Sequence, residues 1–238
     1  YAEITAMDRA IGKLRAYLEE NKLKDNTLFM YVGDNGTPGN AGHTGMTLRK
    51  NKGSMYEGGI RVPGVMEWPA GIEKPAATSA ITVTTDFLPT LAELTGQPLP
   101  ERPIDGKSMV PLFKDPGLQR NEPLYFWQFN RELFDNDCEP YIDPELQEGT
   151  TPLVKMMRGK FTRTFRNCKY SEISQEDYAG ERVMMKDRYK LIVEGDTPNE
   201  KGYELYDIQN DPGETKNLAD DYPELVKEMQ GELRQWQE

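Results

Sequence analysis

Histidine and cysteine are nearly absent: the 238 residues hold one histidine and two cysteines. Cys138 and Cys168 lie too far apart for a metal-type pair, and neither stands in a Cys-X-X-Cys motif. A disulfide between them in an oxidising compartment and two unrelated thiols both stay open. Long hydrophobic runs are missing as well. No apolar stretch approaches the roughly 18–20 residues that a transmembrane helix needs. Positive charge is short: 29 Lys+Arg against 40 Asp+Glu leave a net charge of −11. That balance argues against a nucleic-acid polyanion as partner, because neutralising phosphates takes clustered Lys and Arg. A small anionic substrate is not excluded, since one cationic pocket can sit within an acidic surface. There is no internal repeat and no low-complexity segment.

What is present suits a globular chain. Hydrophobic residues make up 37% and aromatics 10%. A chain of this length amounts to about one and a half domains and buries roughly 70–75% of its unfolded surface. It begins at Tyr1-Ala2-Glu3 without a Met, directly in a helical pattern: Ile4, Met7, Ile11, Leu14 and Leu18 fall at three- and four-residue steps. That abrupt start leads us to expect a removed N-terminal segment, or a piece of a longer protein.

The helix over residues 2–20 is followed by Thr27-Leu28-Phe29-Met30-Tyr31-Val32, a continuous apolar run. Such a run predicts a strand buried on both faces, as in a parallel sheet covered by helices. The strand stops at Gly33-Asp34-Asn35-Gly36, and open α/β sheets bind ligands just beyond the carboxyl ends of their strands. Residues 60–68 read as another strand, limited by Pro63. Thr85 or Asp86 caps a helix with Phe87, Leu88, Leu91 and Leu94, closed by Gly96. Beyond residue 118 the texture changes. Leu124–Phe129 is strand-like, residues 130–174 are polar without a period, 182–193 read as a β-hairpin, 203–207 as a strand, and 223–237 as an amphipathic helix. The expected organisation is an α/β unit over 1–118 and a small unit over 119–238 with an antiparallel sheet and a C-terminal helix.

Three features carry chemistry. Asp34-Asn35 offers two hard oxygen donors that suit Ca²⁺ or Mg²⁺; the same residues also make a good turn. Arg49-Lys50-Asn51-Lys52-Gly53 puts three cations ahead of Glu57-Gly58-Gly59, either to hold an anionic ester oxygen or as a solvated basic loop. His43, the single histidine, lies between them in Gly42-His43-Thr44-Gly45, as a surface residue or a substrate contact.

Together these residues resemble the second half of the type I, formylglycine-dependent sulfatases, of the alkaline-phosphatase-like superfamily. The resemblance rests on Gly33-Asp34-Asn35-Gly36 after the strand and on Leu48-Arg49 through Lys52-Gly53 to Tyr56-Glu57-Gly58-Gly59-Ile60-Arg61-Val62-Pro63. It extends through Thr85–Leu91, Asp105-Gly106-Lys107-Ser108, Tyr203–Asp207, and Asn210-Asp211-Pro212-Gly213-Glu214 with Asn217-Leu218-Ala219. The fold it implies is the C-terminal part of a mixed α/β sheet flanked by helices, plus the small antiparallel sheet and helix.

The implied reaction is hydrolysis of a sulfate ester, with sulfated carbohydrate as a family-level substrate. By that resemblance Asp34 and Asn35 are two ligands of an active-site Ca²⁺. Lys52 is catalytic, binding a sulfate oxygen and stabilising the departing alkoxide, and Glu57, Gly58, Gly59 and Arg61 build the turn that positions it. His43 matches no fixed catalytic position in the family and stays a candidate substrate contact. The family's nucleophile is a formylglycine made in a Cys/Ser-X-Pro-X-Arg motif. Cys138, followed by Glu139-Pro140, and Cys168, followed by Lys169-Tyr170, do not complete that motif, and no Ser does. The nucleophile is therefore expected upstream, in a missing N-terminal part of the same enzyme, and this chain alone is expected to be incomplete and inactive. A periplasmic, extracellular or lysosomal location follows from the resemblance alone. A phosphonate or phosphate monoester hydrolase of the same superfamily and a non-catalytic module that binds glycans or a partner remain the alternatives. A two-zinc phosphatase is expected to carry Asp-His where Asp34-Asn35 stands, so Asn35 favours a single hard cation.

Overall fold

The computed structural model describes residues 1–38, 48–127, 156–157, 160–161, 181–194 and 202–238. His43, Cys138, Cys168 and most of the polar stretch from 130 to 180 lie outside the described residues. The chain forms two compact units. The first comprises Tyr1–Leu124, Met185–Tyr189 and Asp207–Lys216; the second comprises Tyr125–Met184, Lys190–Tyr206 and Asn217–Glu238.

In the first unit, helix α1 (Ala2–Glu20) is followed by a short 3-10 turn (Lys24–Asn26) and strand β1 (Phe29–Val32). The helix follows from its three- and four-residue apolar spacing, yet none of its residues is buried: Ile4, Met7, Leu14 and Tyr17 are all exposed. It is held to the neighbouring ribbon by Arg15, whose Nε lies 2.9 Å from Glu67, and by the Tyr31 hydroxyl 3.8 Å from the Met7 sulfur. The Arg15 guanidinium is pushed above its usual value, first by its hydrogen bond to Glu67 and then by that carboxylate's charge.

Strand β1 pairs antiparallel with β2 (Gly64–Glu67), with Phe29 opposite Glu67 and Val32 opposite Gly64. This corrects the expectation of a strand buried on both faces in a parallel sheet. Among the described residues the ribbon has two strands, β1 is half-buried, and Tyr31 and Val65 are exposed. The continuous apolar run still marks a need for cover on both faces; the described residues do not supply it.

Between these strands lies a one-turn helix, α2 (Glu57–Ile60). A 3-10 turn (Thr84–Asp86) leads into α3 (Phe87–Thr95). Gly96 ends α3 at φ 65°, a left-handed conformation that favours glycine. There the Gln97 N–H donates to the Ala92 carbonyl and the Gly96 N–H to that of Glu93, the Schellman arrangement. Helix α4 (Val110–Lys114), which the sequence pattern did not reveal, follows.

Asp86 gathers this region. Fully buried, its carboxylate accepts the Val83 N–H at 2.9 Å and the Lys107 N–H at 2.8 Å, and it pairs with Arg120 Nη1 at 2.8 Å. Thr90 continues the network by donating to the Asp86 carbonyl at 2.6 Å and accepting the Met109 N–H at 2.9 Å.

Strands β3 (Leu124–Trp127), β6 (Arg182–Lys186), β7 (Tyr189–Val193) and β8 (Tyr203–Asp207) form a four-stranded sheet in the order β3-β6-β7-β8. The expected hairpin is β6–β7, whose two-residue link makes them antiparallel neighbours; Asp187 in that link takes φ 54°. Two short strands, β4 (Met156–Met157) and β5 (Lys160–Phe161), pair antiparallel. The core of the second unit is Val183, Met184, Leu191, Ile192 and Leu205, with Val226, Met229 and Leu233 of helix α5 (Pro223–Gln237). The last three recur at helical spacing, so one stripe of α5 is buried. Stacking of Trp236 on Tyr125, with ring centroids 5.0 Å apart, and a 2.7 Å bond from Gln230 to the Tyr203 hydroxyl tie α5 to β3 and β8.

Removing the carboxylate of Asp86 leaves the Arg120 cation and two backbone N–H groups without it. Asp86→Ala should therefore cost about 3–5 kcal/mol in urea unfolding, and an effect under about 1 kcal/mol would refute this role. Asp207 yields a pH prediction. Burial opposes its charge, but bonds from the Asn210 side chain and backbone and the charge of Arg188 outweigh burial and hold the carboxyl below its ordinary value. With the folded value depressed, this stabilisation is present above the unfolded value of about 3.9 and is lost as pH falls through the folded one. Asp207→Asn should flatten the acid limb of the stability profile below about pH 4, while leaving its shape near neutrality unchanged.

Candidate functional site

The loop after β1 and the loop before α2 are joined backbone to backbone. The Gly33 N–H donates to the Pro63 carbonyl at 3.1 Å and the Gly36 N–H to the Gly59 carbonyl at 2.8 Å. The Lys52 N–H donates to the Thr37 carbonyl at 3.0 Å, and the Gly58 N–H to the Arg49 carbonyl at 2.9 Å. Sequence dictates this contact. A Cβ on Gly36 would collide with the Gly58 carbonyl, and a Cβ on Gly58 with the carbonyls of Arg49 and Lys50. Only glycine lets the two chains approach this closely.

The three cations of the second loop separate. Arg49 and Lys50 lie over the ring of Tyr56, 4.3 Å and 3.9 Å from its centroid, and Tyr56 is only 1% exposed. Their charges are thus engaged with the ring face. Lys52 is exposed, and its ammonium has no protein partner among the described residues. Gly53, at φ 91°, turns the chain directly after it, and Ser54 closes the turn by donating to the Asn51 carbonyl at 2.9 Å. The basic loop is therefore not uniform: two cations are structural and one is available.

Asp34 is exposed and has no hydrogen-bond or ion-pair partner among the described residues. Asn35 donates through Nδ2 to the Gly36 carbonyl at 3.1 Å, which fixes its amide nitrogen and leaves Oδ1 as the free oxygen donor. Two uncommitted hard oxygens side by side fit part of a Ca²⁺ site, which takes six to eight oxygen ligands. Among the described residues no group of three or more acidic, His or Cys side chains could hold a metal, so these two would need further ligands. Glu57 is not available for that purpose: it is buried and paired with Arg61 Nη1 at 3.4 Å within the α2 turn.

The structure thus brings Asp34, Asn35 and Lys52 onto two clamped loops, while His43 lies outside the described residues. Sequence reasoning missed the ring of Tyr56 as the platform that separates Lys50 from Lys52. It also missed Glu214, whose carboxylate accepts the Glu57 N–H at 2.8 Å across 157 positions of sequence. The motif around Glu214 was visible, but no spacing rule connects it to α2.

The family profile that matches the chain is Sulfatase, over residues 1–97. Residues 1–97 thus match the sulfatase family. An ulvan-active sulfatase of Formosa agariphila is 28% identical over 224 residues, a match covering 92% of this chain and 39% of that relative. Among solved structures, Ps i-CgsB in complex with k-i-k-neocarrahexaose gives a TM-score of 0.67 at 24% identity, covering 98% of this chain and 41% of the other. The phosphonate monoester hydrolase of Agrobacterium radiobacter gives 0.61 at 21% identity, covering 98% and 39%. The structural likenesses establish the alkaline-phosphatase-like α/β fold. The chain spans about two fifths of the length of the proteins it matches.

If the glycine contact sets the geometry of these two loops, Gly36→Ala should destabilise the protein by about 1–3 kcal/mol, as overpacking does. Gly12→Ala serves as the control, because nothing lies within 4 Å of a Cβ there and the helix gains about 1 kcal/mol from Ala. Equal effects of the two substitutions in denaturant unfolding would rule out the clamp.

Proposed function

We propose that this chain is part of a sulfuric ester hydrolase acting on a sulfated carbohydrate, with Asp34 and Asn35 as ligands of one Ca²⁺ and Lys52 as a catalytic and substrate-binding cation. The observation that carries this reading is the double backbone clamp. It joins the loop of Asp34 and Asn35 to the loop of Lys52 through the Gly36–Gly59 and Lys52–Thr37 bonds, while the Asp34 carboxylate, the Asn35 Oδ1 and the Lys52 ammonium have no partner among the described residues. An anionic tetrahedral group held between a divalent cation and an ammonium matches that arrangement. The preference for a carbohydrate ester draws on the ulvan-active relative.

In this reading Lys52 does two things. Its ammonium donates to a sulfate oxygen in the bound ester, and it offsets the negative charge that grows on the ester oxygen as the sulfur–oxygen bond breaks. A bound Ca²⁺ would add positive charge at the sulfate oxygens, and a formylglycine hydrate would supply the attacking oxygen. Neither Cys138 nor Cys168 stands in the motif that yields formylglycine. We therefore assign the nucleophile and the remaining metal ligands to polypeptide outside these 238 residues, and expect this chain alone to be inactive. The bare apolar residues of α1 and the two-stranded ribbon support that assignment, since both call for cover that another part of the enzyme would provide. His43 is retained as a candidate substrate contact. A periplasmic, extracellular or lysosomal setting is proposed from the family; no helix among the described residues is long and apolar enough to cross a membrane.

A second reading, phosphonate monoester hydrolysis, has a specific basis in the shared fold and in the same need to bind a tetrahedral oxyanion. Rates on matched aryl sulfate and aryl phosphonate esters in the full-length enzyme separate the two, with sulfate expected to dominate. Lys52→Ala should lower sulfate-ester kcat/KM by about 10²–10³-fold, the range for losing one charge-stabilising donor, and Asp34→Ala should weaken Ca²⁺ binding in calorimetry. Unchanged turnover in Lys52→Ala would refute its catalytic role. Binding of sulfated glycan without any turnover would favour a non-catalytic module.

A further inference from the structure

The first N–H groups of a helix have no acceptor within the helix, and in α2 the preceding residue, Tyr56, provides no side-chain cap. The Glu57 N–H is met instead by Glu214 Oε2 at 2.8 Å. Both residues are 3% exposed, so water competes little for this bond, and a charge-assisted bond of that kind is among the stronger ones. What α2 holds in turn is the candidate site: its Gly58 N–H fixes the Arg49 carbonyl and its Gly59 carbonyl fixes the Gly36 N–H. One bond therefore separates Glu214 from the turn that clamps both loops.

The chain is shaped to deliver this carboxylate. Glu214 takes φ 52°, a conformation in which a bulky side chain is strained and which persists only when its surroundings impose it. Asp211 imposes it. Its carbonyl accepts the Glu214 N–H at 3.0 Å, and its carboxylate accepts the N–H groups of Thr215 and Lys216 at 2.8 and 2.9 Å and the Thr215 hydroxyl at 3.0 Å. The loop is anchored at its start by Arg188, which pairs with Asp207 at 3.3 Å and accepts the Ile208 N–H on its carbonyl at 3.0 Å.

We propose that Glu214 is a positioning residue for the sulfate-ester site: by capping α2 from 157 positions away it sets the spacing between Lys52 and the Asp34-Asn35 pair. This rests on the function proposed above. The test uses the full-length protein with Glu214→Ala, Glu214→Gln, which keeps an acceptor, and Glu214→Asp, which withdraws the carboxylate by one methylene. Hydrogen exchange of the metal-free proteins comes first. Residues 34–37 and 49–60 should exchange faster in Glu214→Ala and Glu214→Asp, with residues 183–193 and α5 unchanged, and Glu214→Gln should restore protection. Ca²⁺ affinity by calorimetry and kcat on an aryl sulfate should fall about 10–100-fold in Glu214→Ala, as for other supporting partners of a site, and recover in Glu214→Gln. If Glu214→Ala unfolds throughout, Glu214→Asp decides by the same readouts. Unchanged exchange at 34–37 and 49–60, or faster exchange there with Ca²⁺ affinity and kcat within twofold of wild type, overturns the positioning role. A wild-type enzyme that neither binds Ca²⁺ nor hydrolyses the sulfate ester overturns the functional reading instead.

Discussion

The close approach of two backbones at Gly36, Gly58 and Gly59 is the constraint on which the candidate site depends. Glycine loses more conformational freedom on folding than any other residue, by about 0.5–1 kcal/mol relative to Ala in regular structure. Here that cost is offset by hydrogen bonds that no side chain could replace: Gly36 to Gly59, Gly58 to Arg49, and Lys52 to Thr37. Because the bonds run through the main chain, the distance between the two loops is independent of side-chain rotamers. The Asp34 carboxylate, the Asn35 Oδ1 and the Lys52 ammonium are left without partners among the described residues, as a site needs when its purpose is to engage something else.

The acidic character of the chain and the cationic character of this corner are compatible for a local reason. A net charge of −11 is spread over a surface where salt screens it within about 10 Å, whereas Arg49 and Lys50 are held against one aromatic ring. Tyr56 thereby keeps three positive charges on neighbouring residues from collapsing onto the same anion. The buried carboxylates follow the opposite logic. Asp86, Glu57 and Glu214 each face backbone N–H groups or an arginine, and such partners hold structure in place.

Much of the architecture was legible because its signals are local. The β6–β7 hairpin, β8, the stripe of α5 and the end of α3 at Gly96 are set by alternation, helical spacing and a left-handed cap within a few residues of each other. The Asp34-Asn35 and Lys52 candidates were legible as residue types, through the resemblance that joins them. What escaped is long-range. The run from Thr27 to Val32 announces burial but not the antiparallel partner at Gly64–Glu67. Asp86 reads as an ordinary cap, although it bonds to Lys107 and Arg120. The bond from Glu214 to Glu57 crosses most of the chain, and no periodicity encodes it.

The exposed face of α1 has a colloidal consequence. Ile4, Met7, Leu14 and Tyr17 lie beside a ribbon in which β1 and β2 each have one strand partner among the described residues, and both an apolar patch and a bare strand edge recruit other chains. Mutual repulsion of the acidic surface opposes that recruitment at low salt and fades as salt screens it. Self-association of the isolated 238-residue polypeptide is therefore expected to rise with ionic strength.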